Sequence, residues 1–320
     1  PPTPGKYEGF GSQAFGGAGT NIQHVTSESD FFSKLGSNRT IVFDNDVTIR
    51  RALYATNISY LTIDANGHNV VFDSIDDDGI SFEGSGCHHI ILIGVKVTNC
   101  TGDGINATDG AHDIVFDHCT AFDNGDGNLD IAAVTGKNFS VQWCFIGRGR
   151  SGWSGSSLIT SKNVSFHHNL VSPEGKGVGE RCPLVHAAYS GVGTPNADIR
   201  NNLIHNWVRE GGGGSFGICV NYGAAANVVN NYLVSKANPN EGISVNAYGT
   251  PTGSIYAAGN VSGNGVNLNS KSNHSEYIIT DPYKISVEDA ITSAKRILQG
   301  VGSPVKGSYE LGIINSISIP

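Results

Sequence analysis

One position recurs along this chain at a nearly fixed interval. Cys119, Cys144 and Asn169 each end an apolar run and lie 25 residues apart, and the same phase returns at Gly94 before them and at Asn202, Asn231 and Asn260 after them, at later steps of 33, 29 and 29. A period in the twenties with one short β-rich run per unit is the mark of a solenoid whose neighbouring turns share one core. The aligned segments ILIGVKV, IVFDHCTAF, SVQWCFI, VSFHHNLV, DIRNNLI and VVNNYLV each read as a strand followed by a turn. Parallel strands stack about 4.8 Å apart, so an Asn at the same corner of each coil can bond its amide to the next and satisfy backbone groups at the bend. Turn preference explains a single Asn; the repeated phase requires a ladder. The spacing therefore predicts an all-β fold, a single-stranded right-handed parallel β-helix with short capping helices.

Composition agrees with a coil of many tight turns: 43 glycines, 38% hydrophobic and only 15% charged residues. No Pro-, Ser- or charge-rich linker interrupts the 320 residues, which predicts a single domain over 1–320. No apolar stretch approaches the roughly 18 residues that cross a membrane. The opening PPTPGKYEGFG has neither an initiating Met nor a signal-like core, so the expectation is a mature, soluble, secreted monomer acting outside the cell. Eight Asn-x-Ser/Thr sequons permit glycosylation, although Asn260 would lie inside the ladder. Six cysteines are too sparse for a disulfide scaffold, and Cys119 and Cys144 on adjacent coils suit either a disulfide or two packed thiols.

Both ends of a solenoid need covering. A cap is expected over about 24–36, where Ser27 starts a short helix with Phe31, Phe32 and Leu35 on one side and Gly36 at its end. A second helix is expected after Ser286, with Val287, Ala290, Ile291, Ala294, Ile297 and Leu298 at helical spacing and Gly300 as its stop. That helix and its tail occupy about 284–320, the tail packing back along the outside.

The net charge of −8 conceals an asymmetry: residues 73–130 hold twelve Asp/Glu and one Lys, whereas 148–209 hold seven Lys/Arg and three Asp/Glu. Neighbouring acidic and basic coils suit a site that takes a cation on one side and an anionic chain on the other. Nucleic acid is excluded as a partner by the acidic balance and the absence of any recognised motif. Within the acidic part, Asp126 and Asp130 at a spacing of four, with Asp103 one coil earlier, supply the hard oxygens that Ca²⁺ requires.

Further on come His167-His168-Asn169, a loop through Glu174 and Lys176, and then Arg181-Cys182-Pro183 and His186. Together with Asp117-His118-Cys119-Thr120 and the Asp126-to-Ile131 stretch, these pieces resemble the pectate lyases of polysaccharide lyase family 1, in the same order. The resemblance is strongest over about residues 90–235. It implies a calcium-dependent lyase of polygalacturonate, with Asp103, Asp126 and Asp130 as metal ligands, Arg181 as the catalytic base, and Arg150, Lys176 and His186 toward the substrate. Arg150 stands where the family usually has Lys, His186 where it commonly has a second Arg, and Thr101 where many members have a further Asp.

The implied chemistry is β-elimination. The C5 proton of a uronate is weakly acidic because the adjacent carboxylate is already negative, and Ca²⁺ bridging that carboxylate to the protein lowers the barrier. An arginine serves as base only when neutral, since its ordinary pKa exceeds about 12, which favours alkaline conditions. Two alternatives stand beside this one: a polygalacturonase-type hydrolase using paired acids, for which Asp76-Asp77-Asp78 is the dense group, and a non-catalytic polysaccharide-binding β-helix. His167 and His168 are expected to alternate, one inside and one toward the groove. Trp143, Trp153 and Trp207 suit either a sugar platform or the core.

Overall fold

A computed structural model describes residues 7–150, 155–173, 181–187, 196–207, 216–236, 241–247 and 250–320. Lys176 and Trp153 lie outside the described residues. The chain winds as a parallel β-solenoid of about eight turns, whose described strands form parallel sheets of ten, eight and nine strands. In each sheet a strand pairs with the one a full coil later, so inward residues fall into columns. One column runs Ile90, Ile114, Phe139, Val164, Ala197, Ala226 and Ile255, and a second runs Leu92, Phe116, Val141, Phe166, Ile199, Val228 and Ala257. All are buried. The strands are apolar on this inward phase because three sheets close round a single core and leave it no solvent face.

Each strand of the ten-stranded sheet from His88–Ile93 onward is followed by a residue in the left-handed region, from Gly94 at φ 71 through Trp143 at φ 54 to Gly259 at φ 64. For residues with a side chain this conformation is unfavourable. It is stabilised by backbone bonds to the next coil: His118 N–H donates to Gln142 O at 3.1 Å, and Asn230 N–H to Ala258 O at 3.0 Å. The rung residue comes immediately after. Extending the strand register past the left-handed residue places Val95, Cys119, Cys144, Asn169, Asn202, Asn231 and Asn260 in line. Gly94 therefore belongs to the left-handed column, and the rung is Val95.

The Asn ladder is continuous. Asn202 Oδ1 accepts from Asn169 N–H at 3.0 Å and Nδ2 at 3.1 Å, while Asn202 Nδ2 donates to Phe166 O of the preceding coil at 2.8 Å. Asn231 and Asn260 repeat the arrangement. All six cysteines are buried free thiols. Cys119 and Cys144 act as shortened rungs, their Sγ atoms approaching Leu92 O at 3.5 Å and Phe116 O at 3.6 Å, in the carbonyl column that Asn169 Nδ2 reaches at Val141. This resolves the disulfide alternative in favour of thiols.

At the N-terminal end α1 (Glu28–Lys34) is the plug expected. The Ser27 side chain accepts from Asp30 N–H, and Phe31 packs on Phe43 and Phe72 at centroid distances of 5.5 and 6.1 Å. The other helix departs from expectation. α2 (Ala290–Gly300) is capped by Asp289 rather than Ser286, and Val287 is exposed. Its apolar stripe lies on Phe145, Leu170, Leu203 and Tyr232, along the flank of the nine-stranded sheet instead of over the open end. The end is closed by the turn Leu268–Lys271: Leu268 enters the core, and Asn269 Oδ1 accepts from Asn260 N–H at 3.0 Å. The tail returns along the outside as expected, with α3 (Ser308–Ser316) bringing Glu310 into a buried ion pair with Lys96.

Asn202→Ala removes the acceptor of a buried N–H and the donor of a buried carbonyl, and should lower unfolding stability in urea by roughly 2–3 kcal/mol. Asn202→Cys, which retains a weak donor, should lose less. A loss below about 0.5 kcal/mol in the alanine variant would show that backbone pairing alone carries the corner.

Candidate active site

Strand alternation points Leu129 and Ile131 into the core and Asp130 outward, onto the face of the eight-stranded sheet. Register places Tyr54, Ser81, Asn106, Asp130, Leu158 and Leu184 in one outward row on that face. Just before these strands, Asp78, Asp103, Gly127 and Gly155 hold equivalent places in four consecutive coils. Arg181 arrives on the fifth. Its Nη1 lies 3.5 Å from Asp126 Oδ1 and 3.7 Å from Asp130 Oδ2. Asp126 is largely exposed, whereas Asp130 is buried and accepts from Leu158 N–H at 2.7 Å.

The turn bearing Asp126 is fixed from beneath. Asn128, fully buried, donates to Gly147 O at 2.9 Å and accepts from Asn124 Nδ2 at 2.9 Å. Asp103 is held from the preceding coil: Asp78 Oδ1 accepts from its N–H at 2.7 Å, and Asn106 Nδ2 bridges Asp78 Oδ2 at 2.9 Å and Asp103 Oδ2 at 3.0 Å. The other oxygen, Asp103 Oδ1, is buried and has no donor at hydrogen-bonding geometry among the described residues. The dense run at Asp76-Asp77-Asp78 is thus joined to the site and is not a separate acid pair. Thr101 Oγ1 donates to Asp76 Oδ1 at 3.2 Å, so a carboxylate of the preceding coil adjoins the place where Thr101 supplies none.

Burial pushes the Asp103 carboxyl up to about 6, with Asp78 and Asp126 adding to the rise and the Asn106 amide opposing it. Burial likewise holds Asp130 well above the usual carboxylate range, reinforced by Asp103 and opposed by Arg181 and the Leu158 N–H. These values lie above the unfolded one near 3.9. Both groups therefore bind protons more tightly in the folded chain, and the stability they contribute below about pH 4 is lost as pH rises through the folded values.

A donor set made of oxygen alone, carrying mutual repulsion and, among the described residues, an oxygen without a donor, fits a hard divalent cation. Among the described residues, no three Asp, Glu, His or Cys side chains stand close enough together to hold a metal ion. Instead the Arg181 guanidinium lies against two of the carboxylates.

The remaining candidates are less concentrated. Arg150 donates from Nη2 to Cys100 O, beside the turn that leads to Asp103. His186 is buried at the end of strand Leu184–His186 with its ring 4.3 Å from that of Tyr222, and burial, helped by the charge of Arg181, lowers its pKa. Among the described residues of the basic segment, Arg148 pairs with Asp123 and Arg200 with Asp198. Neither histidine of the 167–168 pair faces the groove. The left-handed turn at His168 breaks alternation, so both rings leave the same side and are buried next to Glu8 and Glu288, with Nδ1 to Nδ1 at 2.9 Å. Trp143 is stacked between His118 and His168, and Trp207 is fully buried, so neither is a sugar platform.

No family model matches the chain. Two fungal proteins, each described as a probable pectate lyase C, do. That of Emericella nidulans is 28% identical over 227 residues, 65% of this chain and 48% of the relative; that of Aspergillus terreus is 27% identical over 246 residues, 71% and 53% respectively. The chain is thus similar in sequence to these two proteins over about two thirds of its own length. It spans about half the length of the curated relatives it matches. A Bacillus pectate lyase crystallised with trigalacturonate shares the fold at a TM-score of 0.66 and 19% identity, covering 93% of this chain and 99% of that one.

Some residues that build the site escaped sequence reasoning. Asp78 and Asn106 act from other coils, although the outward phase of Ile105–Thr108 marks Asn106 as a surface polar residue. Gly155 left no chemical signature at all. With divalent cations chelated, Asp130→Asn should raise the melting temperature at pH 7–8, because it removes the buried charge that is unfavourable there. The same change should abolish most of any calcium-induced rise in melting temperature seen in the wild type. Thermal unfolding with chelator and with calcium checks both, and a calcium response equal to wild type would remove Asp130 as a ligand.

Proposed function

We propose that this chain is a calcium-dependent lyase that cleaves α-1,4-linked polygalacturonate by β-elimination and acts outside the cell. The observation that carries the reading is the position of Arg181, a single guanidinium at the edge of an outward-facing carboxylate set within a pectate lyase fold. Asp103, Asp126 and Asp130 would hold Ca²⁺. Bound there, Ca²⁺ would neutralise the substrate carboxylate and stabilise the negative charge that develops as C5 loses its proton.

The chain's own residues do the rest. Arg181, once deprotonated under alkaline conditions, takes the C5 proton at a guanidine nitrogen, the electron pair forms the C4–C5 double bond, and the glycosidic oxygen departs from C4 and is protonated from solvent, to which Arg181 returns its proton. No water is consumed, and the new non-reducing end is 4,5-unsaturated. Arg150, beside the turn that leads to Asp103, supplies a positive charge for the polymer's carboxylates, a role that the sequence resemblance also gives to Lys176. His186, kept neutral at neutral pH by its lowered pKa, contributes a hydrogen bond rather than a charge next to the base. Asn106 keeps Asp103 aimed, since its amide fixes one carboxylate oxygen and leaves the other open.

Incubation with de-esterified pectin at alkaline pH should produce the ultraviolet absorbance of an unsaturated uronate, and a chelator should suppress it. Arg181→Ala should lower turnover by about 10³-fold while polymer binding persists. Products with saturated ends would point to hydrolysis instead, and polymer binding without any bond cleavage would point to a binding solenoid.

A further inference from the structure

The side chain of Arg181 closely approaches a residue that has no side chain. A Cβ placed on Gly155 would lie 2.4 Å from Arg181 Cδ and 2.6 Å from its Cβ and Cγ, and these are its three nearest atoms. The aliphatic stem of Arg181 thus lies directly on the Gly155 backbone, one coil earlier. The same device occurs at the equivalent place in the coil before, where a Cβ on Gly127 would lie 2.2 to 2.4 Å from the Asp130 carboxylate. Two adjacent coils therefore each omit a side chain, and the gaps hold the buried acid and the arginine.

We propose that Gly155 is a positioning residue for Arg181: by leaving its coil bare, it sets how close the guanidinium comes to Asp126 and Asp130. The proposal rests on the lyase reading for its consequence in turnover, but not for its geometry. Rotation about χ angles cannot relieve the collision, because the Arg181 Cβ itself is among the atoms met. Carbon atoms prefer a separation of about 3.5–4.0 Å. An alanine therefore displaces residue 181 by about 1 Å, and a misplacement of that size costs about 10²-fold in rate when it moves a reacting group. The rest of the groove is untouched, so substrate affinity is retained.

Gly155→Ala, Arg181→Gly and the double variant test this in the full chain, with turnover on polygalacturonate and thermal unfolding as readouts. Gly155→Ala should lower kcat by about 10²-fold with KM within a few-fold of wild type. Added to Arg181→Gly it should cause no further loss, because effects that act through one group do not multiply. Its penalty in melting temperature should likewise disappear in the Arg181→Gly background, where the colliding stem is gone. Wild-type turnover in Gly155→Ala, or an equal melting penalty in both backgrounds, overturns the proposal. If the wild type shows no lyase activity, the functional reading fails by itself, and the melting-temperature cycle still decides whether Arg181 is the group that the alanine meets.

Discussion

Pairing between successive coils is the constraint on which everything else in this molecule depends. Beyond the first pair, Ile22–Val25 with Arg39–Phe43, a described strand has no sequence neighbour in its sheet; it bonds to residues a full coil before or after it. The corner is the weak point of such a design, because the chain must reverse there into a left-handed conformation and still satisfy its buried amides. The rung residue solves this with one side chain that bonds in both directions: Asn202 Oδ1 accepts from Asn169 N–H of the previous coil, and its Nδ2 donates to Phe166 O of that coil and to Asn231 Oδ1 of the next. Cys119 and Cys144 occupy the same place with a smaller, weaker donor.

The site inherits its dimensions from that pairing. Asp103, Asp130 and Arg181 are far apart in the chain, yet each is a fixed number of coils from the next, and the roughly 4.8 Å strand spacing sets the scale. Two opposing demands meet there. Burial raises Asp103 and Asp130, which disfavours two charges so close together, while Arg181 offsets part of the cost for Asp130. A cation on the carboxylates and the guanidinium beside them compete for the same oxygens. On the proposed function a divalent ion would relieve that repulsion, and Asp103 Oδ1, with no donor among the described residues, is the oxygen placed to meet it.

Much of this was legible in the sequence, and the parts that were not share a physical cause. The period revealed the coil, the Asn ladder and the proximity of Asp126, Asp130 and Arg181. Gly94 was assigned to the rung because a glycine at the end of an apolar run and the rung next to it look alike without knowledge of φ. The stripe on α2 correctly announced a buried face, but a stripe does not say what covers it, and the flank of the nine-stranded sheet was as apolar as the open end. Alternation failed at His167 and His168 because a left-handed residue resets the phase. Asp78 and Asn106 belong to the site through coil-to-coil contact, which one-dimensional motifs do not encode, and Gly155 matters through an absence.

The terminal turn has a consequence for how such a chain can change its length. Every internal rung presents one donor face and one acceptor face, so the ladder has no intrinsic end and another coil could be spliced between Asn202 and Asn231 without altering the chemistry of either. The end is instead written once, by Asn269, which lies only nine residues beyond Asn260 and folds back to occupy the acceptor place of a coil that does not exist. Growth by duplication is open in the interior and shut at that turn. The molecule is extensible like a polymer with a blocked terminus, and its exposed last strand is withheld from other chains by a residue of its own.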